Sequence, residues 1–201
     1  MHLLFVALLG LTGPAIAATS GLTEAEVAAA LKGEVPVRSD TYVSARGKSA
    51  GRGTGAILVE RSIAEVWATL ARFEDKPEYQ PRLNSVQVIE KSATAARVKM
   101  EVNATVATVR YTMRYAFDEA AGIIRWKLDD TAKDNGIADA EGEYRLFVIA
   151  PARTLVVYRT SVDSGRSVPG FVQKYMTKRS LPELLHAVKN RIESGGKWKK
   201  G

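Results

Sequence analysis

Val109-Arg110-Tyr111-Thr112-Met113-Arg114-Tyr115-Ala116-Phe117 puts an apolar or aromatic side chain at every second position, with a charged, polar or small one between. Strand side chains point alternately to opposite faces, so the stretch reads as a strand with one face on a core and the other in water. The same period recurs before it at Val86, Val88 and at Val98, Met100, Val102. After it come Ile124, Trp126, Leu128, then Tyr144, Leu146, Val148, then Val156, Tyr158, Val162. Turn-forming residues divide the runs at Asn84, Lys91-Ser92, Glu119 to Gly122, Asp134-Asn135-Gly136 and Pro151-Ala152. Alternating strands joined by short turns form an antiparallel meander with one wet and one apolar face.

Helical signals flank the meander. Thr23 with Glu26 forms a capping box ahead of Val27 and Leu31, and Gly33 is a stop. Residues 34–51 read as a connector with one strand near Thr41 to Ala45. Gly51, Gly53 and Gly55 precede Ile57-Leu58-Val59-Glu60, a spacing that fits neither the dinucleotide fingerprint nor the P-loop. They read instead as small residues on a strand that another element approaches closely. Ser62 with Glu65 is a second capping box, and Ile63, Val66, Trp67 and Leu70 share one helical face. Pro77 and Pro81 bracket a short turn or helix ending at Leu83. Near the C-terminus, Val168, Phe171, Val172 and Tyr175 make one stripe; Leu181, Leu184, Leu185, Val188 and Ile192 make another, out of phase with it. With Ser180 and Glu183 as a third capping box, this predicts a short helix from Pro169 to about Thr177, a break, and a longer helix from Leu181 to about Glu193. The basic end from Gly195 is expected to be mobile.

Composition narrows the chemistry. The 201 residues, 46% hydrophobic and 25% charged, can bury one core of usual size. There is no cysteine, which excludes disulfides, thiolate metal sites and a cysteine nucleophile. The histidines are His2 and His186, too few for a His-rich metal site or a Ser–His–acid triad. No metal ligands and no cofactor are expected. From Arg166 onward nine Lys/Arg face only Glu183 and Glu193, which accounts for the whole net charge of +7. Anionic phospholipid, nucleic acid or an acidic protein could each answer that field, as could a solvated helix face. Leu3 to Leu11 is a short apolar run, followed by Gly13-Pro14 and Ala15-Ile16-Ala17-Ala18, the pattern of a secretory signal cut after Ala17. An exported chain, periplasmic or secreted, is expected, which makes nucleic acid an improbable partner.

A twisted sheet of six or seven strands can curl around one amphipathic helix, and an incompletely filled gap between them becomes a tunnel lined by the apolar face. From Gly53 to Ile192 the chain resembles the START-related superfamily of helix-grip proteins, in its bacterial polyketide cyclase/dehydrase and lipid-transport branch. The resemblance is carried by residues 55–67 (GAILVERSIAEVW), 73–83 (FEDKPEYQPRL), 141–146 (EGEYRL), 157–163 (VYRTSVD) and 168–172 (VPGFV). It implies an α+β helix-grip fold and an elongated, mainly apolar cavity gated at one mouth; it carries no catalytic residue over, because the family has no universal catalytic motif. The expected organisation is residues 1–17 as signal, 18–50 as N-terminal helix and connector, 51–194 as the helix-grip domain, and 195–201 as the basic tail.

The expected cavity lining is Trp67, Tyr111, Met113, Tyr115, Trp126, Tyr144, Tyr158, Phe171 and Tyr175. Such aromatics serve a plain core equally well. Arg110, Arg114, Arg125, Lys127 and Arg159, with Glu141 and Glu143, alternate with apolar neighbours and read as an outward, solvated surface. His186 lies at the boundary of the last helix's apolar stripe. Lys174, Lys178, Arg179 and Trp198 suit docking to an anionic membrane. The leading functional expectation is an exported monomer that binds or transfers a lipid-like or other hydrophobic small molecule. A cyclase or dehydrase acting on a polyketide-like or aromatic substrate is the alternative, and a closed, ligandless interaction module is the third.

Overall fold

The computed structural model describes residues 13–103, 108–165 and 170–201, the side chains of 170–178 excepted. The apolar run Leu3 to Leu11 and the side chains of Phe171, Lys174, Tyr175 and Lys178 therefore lie outside the described residues. The elements are α1 Gly13–Ser20, α2 Glu24–Leu31, β1 Val37–Val43, β2 Ser49–Val59, α3 Ile63–Ala71, α4 Lys76–Tyr79, β3 Leu83–Lys91, β4 Ala95–Asn103, β5 Thr108–Asp118, β6 Ile123–Leu128, β7 Asp139–Ala150, β8 Arg153–Asp163 and α5 Gly170–Glu193. All eight strands form one antiparallel sheet in the order β1-β2-β8-β7-β6-β5-β4-β3, and α5 lies across its inner face.

The strand count exceeds the expected six or seven; the strand expected in the connector near Thr41 to Ala45 is β1, which starts earlier and pairs along β2 from Val37 opposite Gly55 to Val43 opposite Ser49. The sheet thus begins at Val37, ahead of residue 51. Both capping boxes read from the sequence are formed, Thr23 with Glu26 and Ser62 with Glu65. At Gly55 a β-carbon would come 2.8 Å from Leu185 Cδ1, so the close approach read from the glycines is that of α5.

The expected break in the last helix is absent. α5 continues through Pro182, because Leu181, Leu185, Val188 and Ile192 are all buried against the sheet and hold the backbone on both sides of the proline in helical phase. Ser180 does not cap: its hydroxyl is buried without a hydrogen-bond partner among the described residues, and Glu183 instead accepts from Arg179 Nε at 2.9 Å. Packing here outweighs the proline's lost donor.

The outer face is not uniformly wet. Ala56, Phe147, Leu155 and Val157 form a second apolar cluster, covered by Ile16 of α1 and by Leu22, Val27 and Ala30 of the α2 region. Arg145 Nη1 reaches the Thr19 carbonyl at 3.1 Å and Arg38 Nη2 the Gly21 carbonyl at 2.9 Å, fixing the turn between these helices. This is the structural role of the N-terminal segment: it shields a patch that alternation alone would leave in water.

The basic tail is docked rather than free. Lys200 Nζ donates to the carbonyls of Gln80 and Leu83 at 3.0 and 2.7 Å, its backbone N–H to that of Glu78 at 2.9 Å, and Trp198 packs against the main core. Arg191, only 5% exposed, ties the tail to α4 through the Trp198 carbonyl (3.0 Å), Glu78 (3.0 Å) and Asp75 (3.5 Å). Burying an arginine is tolerated because its donors find charged and carbonyl acceptors at once.

Candidate functional site

The alternation of β5 to β8 delivers one set of rings to the inner face. Tyr115 lies 6.1 Å from Trp126, Trp126 stacks on Tyr158 at 5.4 Å and 30°, and Tyr144 lies 4.9 Å from Tyr158 and 5.3 Å from Trp126. The chain of rings extends through Phe73 (4.5 Å from Tyr115) and Phe117 to Trp67, which meets Phe117 edge-on at 6.4 Å. Met113 is buried with them, and Tyr111 and Tyr158 are partly buried. Seven of the nine residues expected to line a cavity thus pack together on this side of the sheet. Phe171 and Tyr175 lie outside the described side chains.

The phenols of Tyr111, Tyr115, Tyr144 and Tyr158 are raised above their ordinary pKa by burial, the first three further by neighbouring tyrosines. They are neutral hydrogen-bond donors at any physiological pH. Among the described residues Tyr115 Oη reaches only the soft acceptor Met100 Sδ, at 3.9 Å. Tyr79 is fully buried on α4, and burial pushes its phenol well above the ordinary value. Phenols of this kind suit a ligand that brings its own oxygen acceptors.

Lys76, at the start of α4, is the residue the sequence reading passed over. It is 3% exposed, and its ammonium lies 4.2 Å from the centre of the Phe73 ring and 5.5 Å from that of Tyr115. No carboxylate among the described residues pairs with it. Burial pushes its pKa down from 10.5 to about 7, the nearby charge of Lys91 adding to the fall and Glu74 opposing it. The amine is therefore divided between its charged and neutral forms near neutrality.

The outer face carries the charges that alternation assigned to it, but in a network rather than a solvated array. Glu143, its side chain 13% exposed, is shared by Arg145 (2.6 Å), Arg125 (3.5 Å) and Arg159 (3.6 Å). These residues, with Arg52 and Arg114, border an open cleft of about 690 Å³ that crosses the outer face from β1 to β5. Asp129, fully buried just beyond β6, accepts from Arg97 Nε at 2.6 Å, Arg114 Nε at 2.9 Å and Thr131 Oγ1 at 2.7 Å. Burial alone would raise its pKa; the Thr131, Arg114 and Arg97 hydrogen bonds outweigh it and hold the carboxyl below its ordinary 3.8. Asp129→Asn is expected to cost about 2–3 kcal/mol at pH 7, less than for a wholly buried pair because both arginines are partly exposed. A carboxyl depressed in the folded state contributes stability above its ordinary value and loses it as the pH falls below. Urea midpoints of wild type and variant should therefore begin to converge below about pH 4 and meet only as the pH falls to the depressed folded value.

Of the residues expected to dock a membrane, Arg179 is already ion-paired with Glu183. Trp198 is turned onto the core, its backbone N–H donating to Ser194 Oγ at 2.8 Å, so it is not displayed as an interfacial anchor. His186 is exposed beside a smaller cleft with Pro182, Asn190 and Trp198, away from the ring cluster.

An antiparallel sheet closed over a long C-terminal helix, with an aromatic inner face, defines a helix-grip domain. The chain belongs to the family described as polyketide cyclase/dehydrase and lipid transport, which matches residues 51–193. Among solved structures it is similar to the Zhui aromatase/cyclase from a Streptomyces species, with a TM-score of 0.60 and 19% identity over 79% of this chain and 94% of that one. It is similar to a STAR-related lipid transfer protein from Xanthomonas axonopodis, with a TM-score of 0.60 and 13% identity over 77% and 98%. A START superfamily protein from Mycobacterium smegmatis gives a TM-score of 0.61 and 15% identity over 71% and 97%. At these identities the likeness is one of fold. No curated protein matches the chain by sequence.

Proposed function

We propose that this protein binds or transfers a lipid-like or other hydrophobic small molecule held between the inner face of the sheet and α5. The observation that carries this reading is the unbroken run of rings from Trp67 to Tyr158, edged by phenols that are neutral donors, in a chain with one histidine past its N-terminus and no cysteine. Such a face recognises shape and a few oxygen acceptors and supplies no nucleophile. Native mass spectrometry of the protein from its own host, followed by organic extraction, should reveal a discrete co-purifying mass of lipid or isoprenoid character. An empty protein with no mass shift across a lipid panel would overturn the reading.

The reading includes export, which rests on the signal-like pattern ending at Ala17. In the same spectrum the chain should begin at Ala18. Cleavage there removes Ile16 from the outer cluster it fills, so an intact N-terminus would mean that α1 is a permanent cover of the sheet and that export fails. A cyclase or dehydrase reading has one observation in its favour, the Lys76 amine, which titrates near neutrality beside Tyr115 and could take a proton from a carbon acid. Turnover of an aromatic-precursor polyketone that vanishes in Lys76→Met would establish that second reading.

A further inference from the structure

We infer that Lys76 is the polar anchor of the interior, and that the molecule it holds carries a carboxylate at one end of a hydrophobic body. This deepens the binding reading and rests on it. The argument starts from an imbalance. The side chain is 3% exposed, its nitrogen faces the rings of Phe73 and Tyr115, and it meets no carboxylate among the described residues. The negative faces of two rings compensate an ammonium only in part. A buried cation in that position is complete only with an anion.

The charged groups around it supply none. Lys91, at the end of β3, sets its own ammonium 5.7 Å from the same Phe73 ring and donates to the Ala71 carbonyl at 3.0 Å, adding positive potential. Glu74 is exposed and acts only from a distance. Asp75, just ahead of α4, and Glu78 on it are committed to Arg191 of α5 at 3.5 and 3.0 Å. Tyr115, whose ring the ammonium faces, donates its own hydroxyl only to the thioether of Met100 among the described residues, at 3.9 Å. An ammonium with a weakly engaged phenol on the same ring suits the acceptor oxygens of a carboxylate. A neutral alcohol or ester would leave the ammonium uncompensated.

The test uses the full-length protein, oleate and oleyl alcohol, which share a hydrophobic body and differ in the head group, with displacement of Nile red as the readout at pH 7. Wild type should bind oleate about tenfold or more tightly than oleyl alcohol. In Lys76→Met the two should bind alike, while Lys76→Arg should keep the preference. A second readout separates an ion pair from altered packing. At pH 8 the free amine is mostly neutral, and pairing with a carboxylate draws a proton onto it. Calorimetry in buffers of different ionisation enthalpy should therefore show uptake of up to about one proton per oleate in wild type and none in Lys76→Met. Equal affinity of wild type for both probes, or a preference that survives in Lys76→Met, would overturn the anchor while leaving hydrophobic binding standing. Failure of wild type to bind either probe would overturn both.

Discussion

Lys76→Met should raise the melting temperature at pH 7 by roughly 5–10 °C, and the gain should nearly disappear at pH 10. The reasoning is linkage. Lys76 is 3% exposed and its pKa falls from 10.5 in an open chain to about 7 in the fold, chiefly through burial. Between those values the unfolded chain carries a proton that the folded protein has released, so stability rises with pH across that window. The cost of the lysine is fully present below about pH 7 and gone above about pH 10.5. Three and a half pH units correspond to about 4 kcal/mol at pH 7, and less than about 1 kcal/mol remains at pH 10. Lost attraction to the Phe73 and Tyr115 rings subtracts from the gain. Methionine keeps the length and bends to fill the same space. Circular-dichroism melts of both proteins at the two pH values decide it: a variant no more stable at pH 7 would mean that the ammonium reaches water. A residue that weakens the fold at the pH where the protein works is retained for something other than folding, the usual trade at a binding site.

Much of the fold is legible because alternation is a strong signal where one face is buried. Residues 109–117 specify both the strand and the side on which Tyr111, Met113 and Tyr115 sit, and a slip of one residue would bury Arg110 and Arg114 instead. The first strand is different. Val37–Val43 reads Val-Arg-Ser-Asp-Thr-Tyr-Val and is exposed or only half-buried along its length, so no apolar face fixes its bounds; a strand is expected near Thr41 to Ala45, but where it starts is set by the free edge that β2 offers. The C-terminal helix errs the other way. Its two stripes are out of phase, and Pro182 with Ser180 has the look of a fresh start, yet α5 runs through because Leu181 and Leu185 are held in the core on either side. Local signals propose boundaries there, and tertiary contacts decide them.

The site divides along the same line. The rings of β5 to β8 and Trp67 are readable since period places them. Lys76 is not, because α4 is four residues long and a single turn shows no periodicity; between Asp75 and Pro77 a lysine reads as surface. Its burial follows from where Phe73 and Tyr115 come together, which only the closed sheet determines. Asp129 and Glu143 are similar cases: both belong to the outer face by alternation, but their burial depends on arginines brought from other strands, Arg97 and Arg114 to the one, Arg125, Arg145 and Arg159 to the other. The docked tail could not be foreseen either, since it rests on the carbonyls of Gln80 and Leu83 and those carry no side-chain signal.

Gly142→Ala should destabilise the protein by about 3 kcal/mol or more, and a valine there should prevent folding. Gly142 sits in the middle of β7, opposite Trp126 of β6 and Thr160 of β8. A β-carbon on it would collide with the carbonyl oxygen of Arg159 and lie 2.5 Å from Cζ2 of Trp126. One obstacle is backbone in the paired strand, the other an indole stacked on Tyr158, so neither can yield without opening the β7–β8 seam or breaking the ring cluster. The absence of a side chain is what lets Trp126 fold over β7. Two control glycines make the claim specific. At Gly55 the nearest atom is Cδ1 of Leu185, the end of a flexible side chain, and alanine there should cost only about 1 kcal/mol. At Gly51 nothing lies within 4 Å, and alanine should be neutral or slightly stabilising by restricting the unfolded chain. Urea midpoints should therefore fall in the order Gly51→Ala, Gly55→Ala, Gly142→Ala. The last variant alone should also lose near-ultraviolet dichroism from the Trp126–Tyr158 stack and Nile red binding with it. If Gly142→Ala retained both, the indole would not be pinned against β7, and the aromatic interior would be looser than the ring distances require.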